Sequence, residues 1–120
     1  MIKHTLIIGA STNTERYSNI AITKLQLYNI PVTCIGAKVA TTHGQPILTG
    51  MPELHNVHTI TLYINPKAQE AYYTYILSLK PTRLIFNPGT ENPVLYKMAT
   101  AQHINCLNAC TLVLLTTYQY

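Results

Sequence analysis

The sequence predicts one α/β domain, a doubly wound five-stranded, mainly parallel sheet with helices on both faces. Three observations predict it. Four apolar runs rich in β-formers (HTLIIG, PVTCIG, HTITLYI and TRLIFN) are nearly continuous rather than alternating, as in strands covered on both sides. Segments of helical period separate them, and strands alternating with helices build parallel sheets. The 120 residues are 48% hydrophobic and only 10% charged, which suits a packed core and excludes a disordered chain.

The first strand ends at Gly9, and a helix is expected over 18–28, with Ala21, Ile22, Leu25 and Tyr28 on its inner side. The second strand ends at Gly36. Residues 36–56 then break the alternation: they hold three of the five glycines and two prolines, and they read as a long irregular connection. After the third strand, Asn65 can cap a helix with Pro66 at its first position; Ala68, Ala71, Tyr72, Tyr75, Ile76 and Leu79 form its apolar stripe. Asn92 and Pro93 repeat the device after the fourth strand, ahead of Leu95, Met98 and Ala99. A fifth strand is expected over 104–108. The final apolar stretch fits strand or helix equally.

The 120 residues read as a single domain. Eight Lys/Arg against four Glu and no Asp give a formal charge of +4. That excess favours an anionic partner. The basic residues are scattered singly, without a basic run or helix face, so a nucleic-acid partner is not expected. No apolar run is long enough for a signal peptide or membrane span. Three cysteines without metal spacing (Cys34, Cys106, Cys110) suggest reduced thiols and a cytoplasmic location. His55 and His58 lack a third ligand nearby in sequence, so no metal is expected.

Ligands of open α/β sheets sit outside the carboxyl ends of the strands. Here that edge gathers Gly9 with GASTNTER, Gly36 with GAK, YINP and FNPGTEN. A helix N-terminus after the first strand attracts phosphate; Ser11, Thr12 and Asn13 supply donors, and Arg16 a planar fork. The same turn is equally an ordinary strand-to-helix connection. Asn65 and Asn92 read first as caps, Lys38 by itself as a solvated lysine, and Pro88–Gly89 as a tight turn.

The stretches GASTNTERYS, YINPKAQEAYYTYILSLKP, IFNPGTENP and ACTLVLLTTYQY resemble the small stand-alone CoA-binding domain proteins of bacteria over nearly the whole chain. GAKVATTHGQP is similar to the second-strand loop of the CoA-binding domain of the succinyl-CoA synthetase α subunit, although Ala37 stands where many relatives carry proline. The resemblance implies a Rossmann-like fold and coenzyme A as ligand. It puts the pyrophosphate near Ser11, Thr12, Asn13 and Arg16, and another phosphate on Lys38. Ile64, Asn65 and Pro66 then wall the channel, with Asn87, Pro88 and Gly89 opposite.

The expectation is a non-catalytic binder of coenzyme A or acyl-CoA, because the four glutamates are far apart and no nucleophile motif is present. One alternative is a small enzyme acting on a CoA thioester through Cys110 or a histidine. Another is an NADP-type nucleotide-binding or regulatory subunit. An NAD domain needs an acid after the second strand, where this chain has Lys38.

Overall fold

In the computed structural model, which describes residues 2–120, each expected strand forms. They are β1 (Thr5–Ala10), β2 (Val32–Gly36), β5 (Thr59–Leu62), β6 (Arg83–Phe86) and β7 (Asn105–Asn108). Two more, β3 (Ala40–Thr42) and β4 (Gln45–Leu48), lie inside the stretch read as irregular. The sheet therefore has seven strands rather than five, in the order β3-β4-β2-β1-β5-β6-β7. All neighbours are parallel except β3 and β4.

The extra hairpin has a local cause. Thr42 pairs with Gln45 across a two-residue turn, and both turn residues have positive φ, His43 at 52° and Gly44 at 73°. That is the turn whose twist matches paired strands. Strands of three and four residues, one containing Pro46, are too short to display a period of two.

Helix α1 (Tyr17–Leu27) forms where expected. The helix expected from Pro66 is divided into α2 (Pro66–Gln69), a 3-10 turn (Glu70–Tyr72) and α3 (Tyr73–Ser78). Helix α4 (Pro93–Ala101) follows β6, and the undecided C-terminal stretch is helical, α5 (Thr111–Thr116). No helix of the described residues is long and apolar enough to cross a membrane.

Alternate residues of β1 serve opposite faces. Leu6 and Ile8 join Ile76 of α3 and Leu95 and Ala99 of α4, while Ile7 joins Ala21, Ile22 and Leu25 of α1 and Leu115 of α5. The sheet is thus covered on both sides, as its continuous apolar strands required. Strand β2 lies on one side of β1 and β5 on the other. Strand order reverses there, and the loops after β1 and β5 open a crevice.

Candidate functional site

The crevice is shaped first by backbone. Register along β1 slips between Ile8 and Ala10, a bulge at Gly9, whose φ is 102°. The bulge turns Ala10 onto the same face as Ile7. A Cβ on Gly9 would lie 2.9 Å from both Ile64 Cγ2 and the Tyr63 carbonyl carbon. One on Gly36 would lie 2.5 Å from the Ala10 carbonyl oxygen. Both glycines therefore let strand ends approach closely, and both line a cavity of about 410 Å³ with Ser11, Arg16, Tyr63, Ile64 and Tyr72.

The loop after β1 is ordered by its own side chains. Asn13 N donates to Ser11 Oγ at 3.0 Å, and Glu15 N donates to Asn13 Oδ1 at 3.0 Å. Arg16 occupies the N-cap position of α1 and makes no side-chain cap bond, so the first turn's N–H groups have no side-chain acceptor. The exposed Arg16 lines both the cavity above and an adjoining one with Asn65, Ala68, Pro88, Gly89 and Thr90. Lys38 lies in the bend after β2 and shares a smaller space of about 100 Å³ with Ser11, Thr12 and Ala37. These spaces share residues and make one groove across the sheet edge.

Asn65 caps α2, its Oδ1 accepting from Ala68 N at 2.8 Å, and Ile64 lines the groove beside it. Pro66 is exposed at the first position of α2, outside the lining. Pro88 and Gly89 occupy the middle of a turn closed by Thr90 N donating to the Asn87 carbonyl at 2.9 Å; Gly89, at φ 92°, takes the position that needs a glycine. Asn87 itself is buried behind the groove. It donates to Thr61 Oγ1 at 2.7 Å and to the Leu62 carbonyl at 2.9 Å, and it accepts from Thr111 N at 2.9 Å. It braces β6 against β5 and α5 rather than lining the surface.

Three residues that sequence reasoning passed over complete the site. Tyr63 and Tyr72 form walls, and only their position after β5 and in the following turn could have marked them. Gln69 is fully buried and donates to the carbonyls of Ile64 at 2.9 Å and Thr90 at 2.7 Å, joining the loops after β5 and β6. Asn92 caps α4, as expected, and also donates to Gln69 Oε1 at 2.9 Å. A glutamine on the inner side of an amphipathic helix was the available signal.

Arg16 and Lys38 line the groove and no glutamate does, while at its edge the Glu91 carboxylate accepts from Gly89 N at 2.7 Å. Burial pushes the Tyr63 phenol up to about 12, so it is neutral. Burial likewise pushes the Cys34 thiol up to about 12 and raises that of Cys106. Cys110, half-buried at the N-cap of α5, is not among the groove residues. His55 pairs with Glu53 at 3.4 Å and His58 hydrogen-bonds Thr59, both from a stretch without a helix. Among the described residues no group of three ligand side chains is placed to hold a metal.

A family model for a CoA binding domain matches residues 3–116. The chain belongs to this CoA-binding family. The crystal structure of an uncharacterized protein is 41% identical, with a TM-score of 0.97, covering 100% of this chain and 99% of that one. A hypothetical protein from Pyrococcus horikoshii OT3 is 20% identical with a TM-score of 0.84 (93% of this chain, 80% of that one). A Thermus thermophilus protein is 15% identical with a TM-score of 0.86 (99% and 91%). The last two likenesses speak to the α/β fold alone. No curated protein matches.

Proposed function

We propose that this CoA-binding domain holds coenzyme A, or an acyl-CoA, by recognition alone and catalyses no reaction. The observation that carries the reading is the groove at the strand-order reversal. An uncapped helix N-terminus, Arg16 and Lys38 line it, and the nearest carboxylate, Glu91, is held by Gly89 N at its edge. Such a donor set fits a chain of phosphates: the α1 N-terminus offers N–H groups and a positive dipole end, and Arg16 a bidentate fork. Ser11, Thr12, Asn13 and Arg16 take the pyrophosphate in this reading, Lys38 the 3′-phosphate of the ribose, and Ile64, Tyr63 and Tyr72 the less polar remainder. Gly9 and Gly36 keep the strand ends close enough to form the floor. The non-catalytic part is supported by the groove's titratable lining, which is Arg16, Lys38, Tyr63 and Tyr72. Burial holds the Tyr63 phenol neutral near pH 7, so it is not poised to move a proton. Cys110, which a thioester mechanism would recruit, lies outside that lining.

Titration calorimetry with CoA tests the reading. Arg16→Ala is expected to weaken binding about ten- to hundredfold, the worth of a charge-assisted hydrogen bond, without unfolding an exposed helix start. Equal affinities for variant and parent would remove Arg16 from the site.

A further inference from the structure

One buried side chain joins the two halves of the phosphate end of the groove. Asn19, in the first turn of α1, is 2% exposed. Its Nδ2 donates to the Ser11 carbonyl at 2.8 Å and to Thr42 Oγ1 at 3.0 Å, and its Oδ1 accepts from His43 Nε2 at 2.7 Å. Gln26, two turns further along α1, donates to the His43 carbonyl at 3.1 Å. The loop after β1, helix α1 and the tip of the β3–β4 hairpin are thus tied at one point. The hairpin needs such a tie. Strand β3 is an edge strand of the sheet, and β4 pairs with β2 through Cys34↔Ile47 and Ile35↔Leu48 only. Lys38 lies in the bend between β2 and this hairpin, facing Ser11 and Thr12 across their shared cavity, and it forms no ion pair among the described residues. Its own side chain does not fix where its ammonium reaches. The backbone that carries it does, and that backbone continues directly into the tied hairpin.

We infer that Asn19 and His43 form a latch that sets the groove's selectivity for a phosphorylated ribose, by holding the Lys38 bend at a fixed distance from the Ser11–Thr12 loop. The inference rests on the coenzyme A reading of the groove. A charge-assisted hydrogen bond needs a donor–acceptor distance of about 2.7–2.9 Å. A loosened hairpin therefore removes the contact of Lys38 while leaving the α1 N-terminus and Arg16 in place. Asn19 and His43 are positioning residues in this scheme and touch no ligand.

The test compares CoA with dephospho-CoA by calorimetry in the parent, Lys38→Ala, His43→Asn and the double variant. Asparagine tolerates the positive φ of 52° at this exposed site but cannot reach Asn19 as the imidazole does. His43→Asn is expected to lower the preference for CoA about tenfold, most of the loss given by Lys38→Ala, with dephospho-CoA affinity close to the parent's and the urea midpoint lowered by less than about 1 M, the loss of one hydrogen bond. In the double variant the two losses should not add, because both act through one contact. An unchanged preference in His43→Asn, or additive losses, overturns the latch while the CoA reading stands. So does a preference that Lys38→Ala leaves intact. A parent that binds neither nucleotide overturns both.

Discussion

Replacing Asn87 with alanine separates bracing from ligand contact more cleanly than any other change at the groove. The side chain is 3% exposed and makes three hydrogen bonds, to Thr61 Oγ1 (2.7 Å), the Leu62 carbonyl (2.9 Å) and Thr111 N (2.9 Å). Alanine keeps the backbone turn to Thr90 but loses all three. Thr61 Oγ1 retains its bond to Thr111 Oγ1 at 2.8 Å, whereas Thr111 N, at the buried start of α5, is left without its side-chain acceptor. At about 0.5–1.5 kcal/mol per bond the loss is about 1.5–4.5 kcal/mol. That is a large share of the roughly 5–15 kcal/mol that holds a domain folded. With a urea dependence of about 2 kcal/mol per molar, the unfolding midpoint should fall by about 1–2 M. CoA affinity, measured by calorimetry below the onset of unfolding, should be nearly that of the parent. A parental midpoint combined with a tenfold or greater loss of affinity would refute the argument and make Asn87 a ligand contact.

Further outcomes follow from the same geometry. Gly9→Ala should destabilise the domain by about 2–5 kcal/mol, from a backbone conformation that disfavours side chains and a Cβ 2.9 Å from backbone. Gly89→Ala, at φ 92° with nothing within 4 Å, should cost about 1–2 kcal/mol; equal urea midpoints for the two variants would contradict the close approach at Gly9. Cys34 and Tyr63 are raised from 9.0 and 10.0 to about 12, so the folded state keeps protons that the unfolded state releases. Their contribution is complete below pH 9 and fades as pH rises towards 12, which a urea titration series across that range should record as falling midpoints. A thiol reagent at pH 8 should modify half-buried Cys110 in the native protein and leave Cys34 untouched until denaturant is added; rapid native labelling of Cys34 would contradict its burial.

The sequence carried the α/β class because four strands are buried on both faces and so read as unbroken apolar runs. The caps at Asn65 and Asn92 were equally legible, since Asn–Pro before a helix has a local physical cause. The β3–β4 hairpin was not. Its strands are too short for a period, and what stabilises it is a distant helix, through Asn19 and Gln26. At the site, sequence position alone brought Gly9, Ser11, Arg16, Gly36 and Lys38 to one edge. It could not distinguish Asn87, which faces inward, from its neighbours Pro88 and Gly89, which face the groove. Nor could it show that the helix after Pro66 breaks at Glu70–Tyr72 while Gln69 turns inward to bind two loops.

Competition binding among CoA, dephospho-CoA, NAD and NADP decides whether this groove is built for coenzyme A. Lys38 stands after β2 where an NAD-binding domain carries an acid, and in the proposed reading the helix N-terminus and Arg16 take the pyrophosphate that all four share. CoA is expected to bind more tightly than dephospho-CoA, and both more tightly than NAD. NADP displacing CoA at equal concentration would contradict the coenzyme A reading.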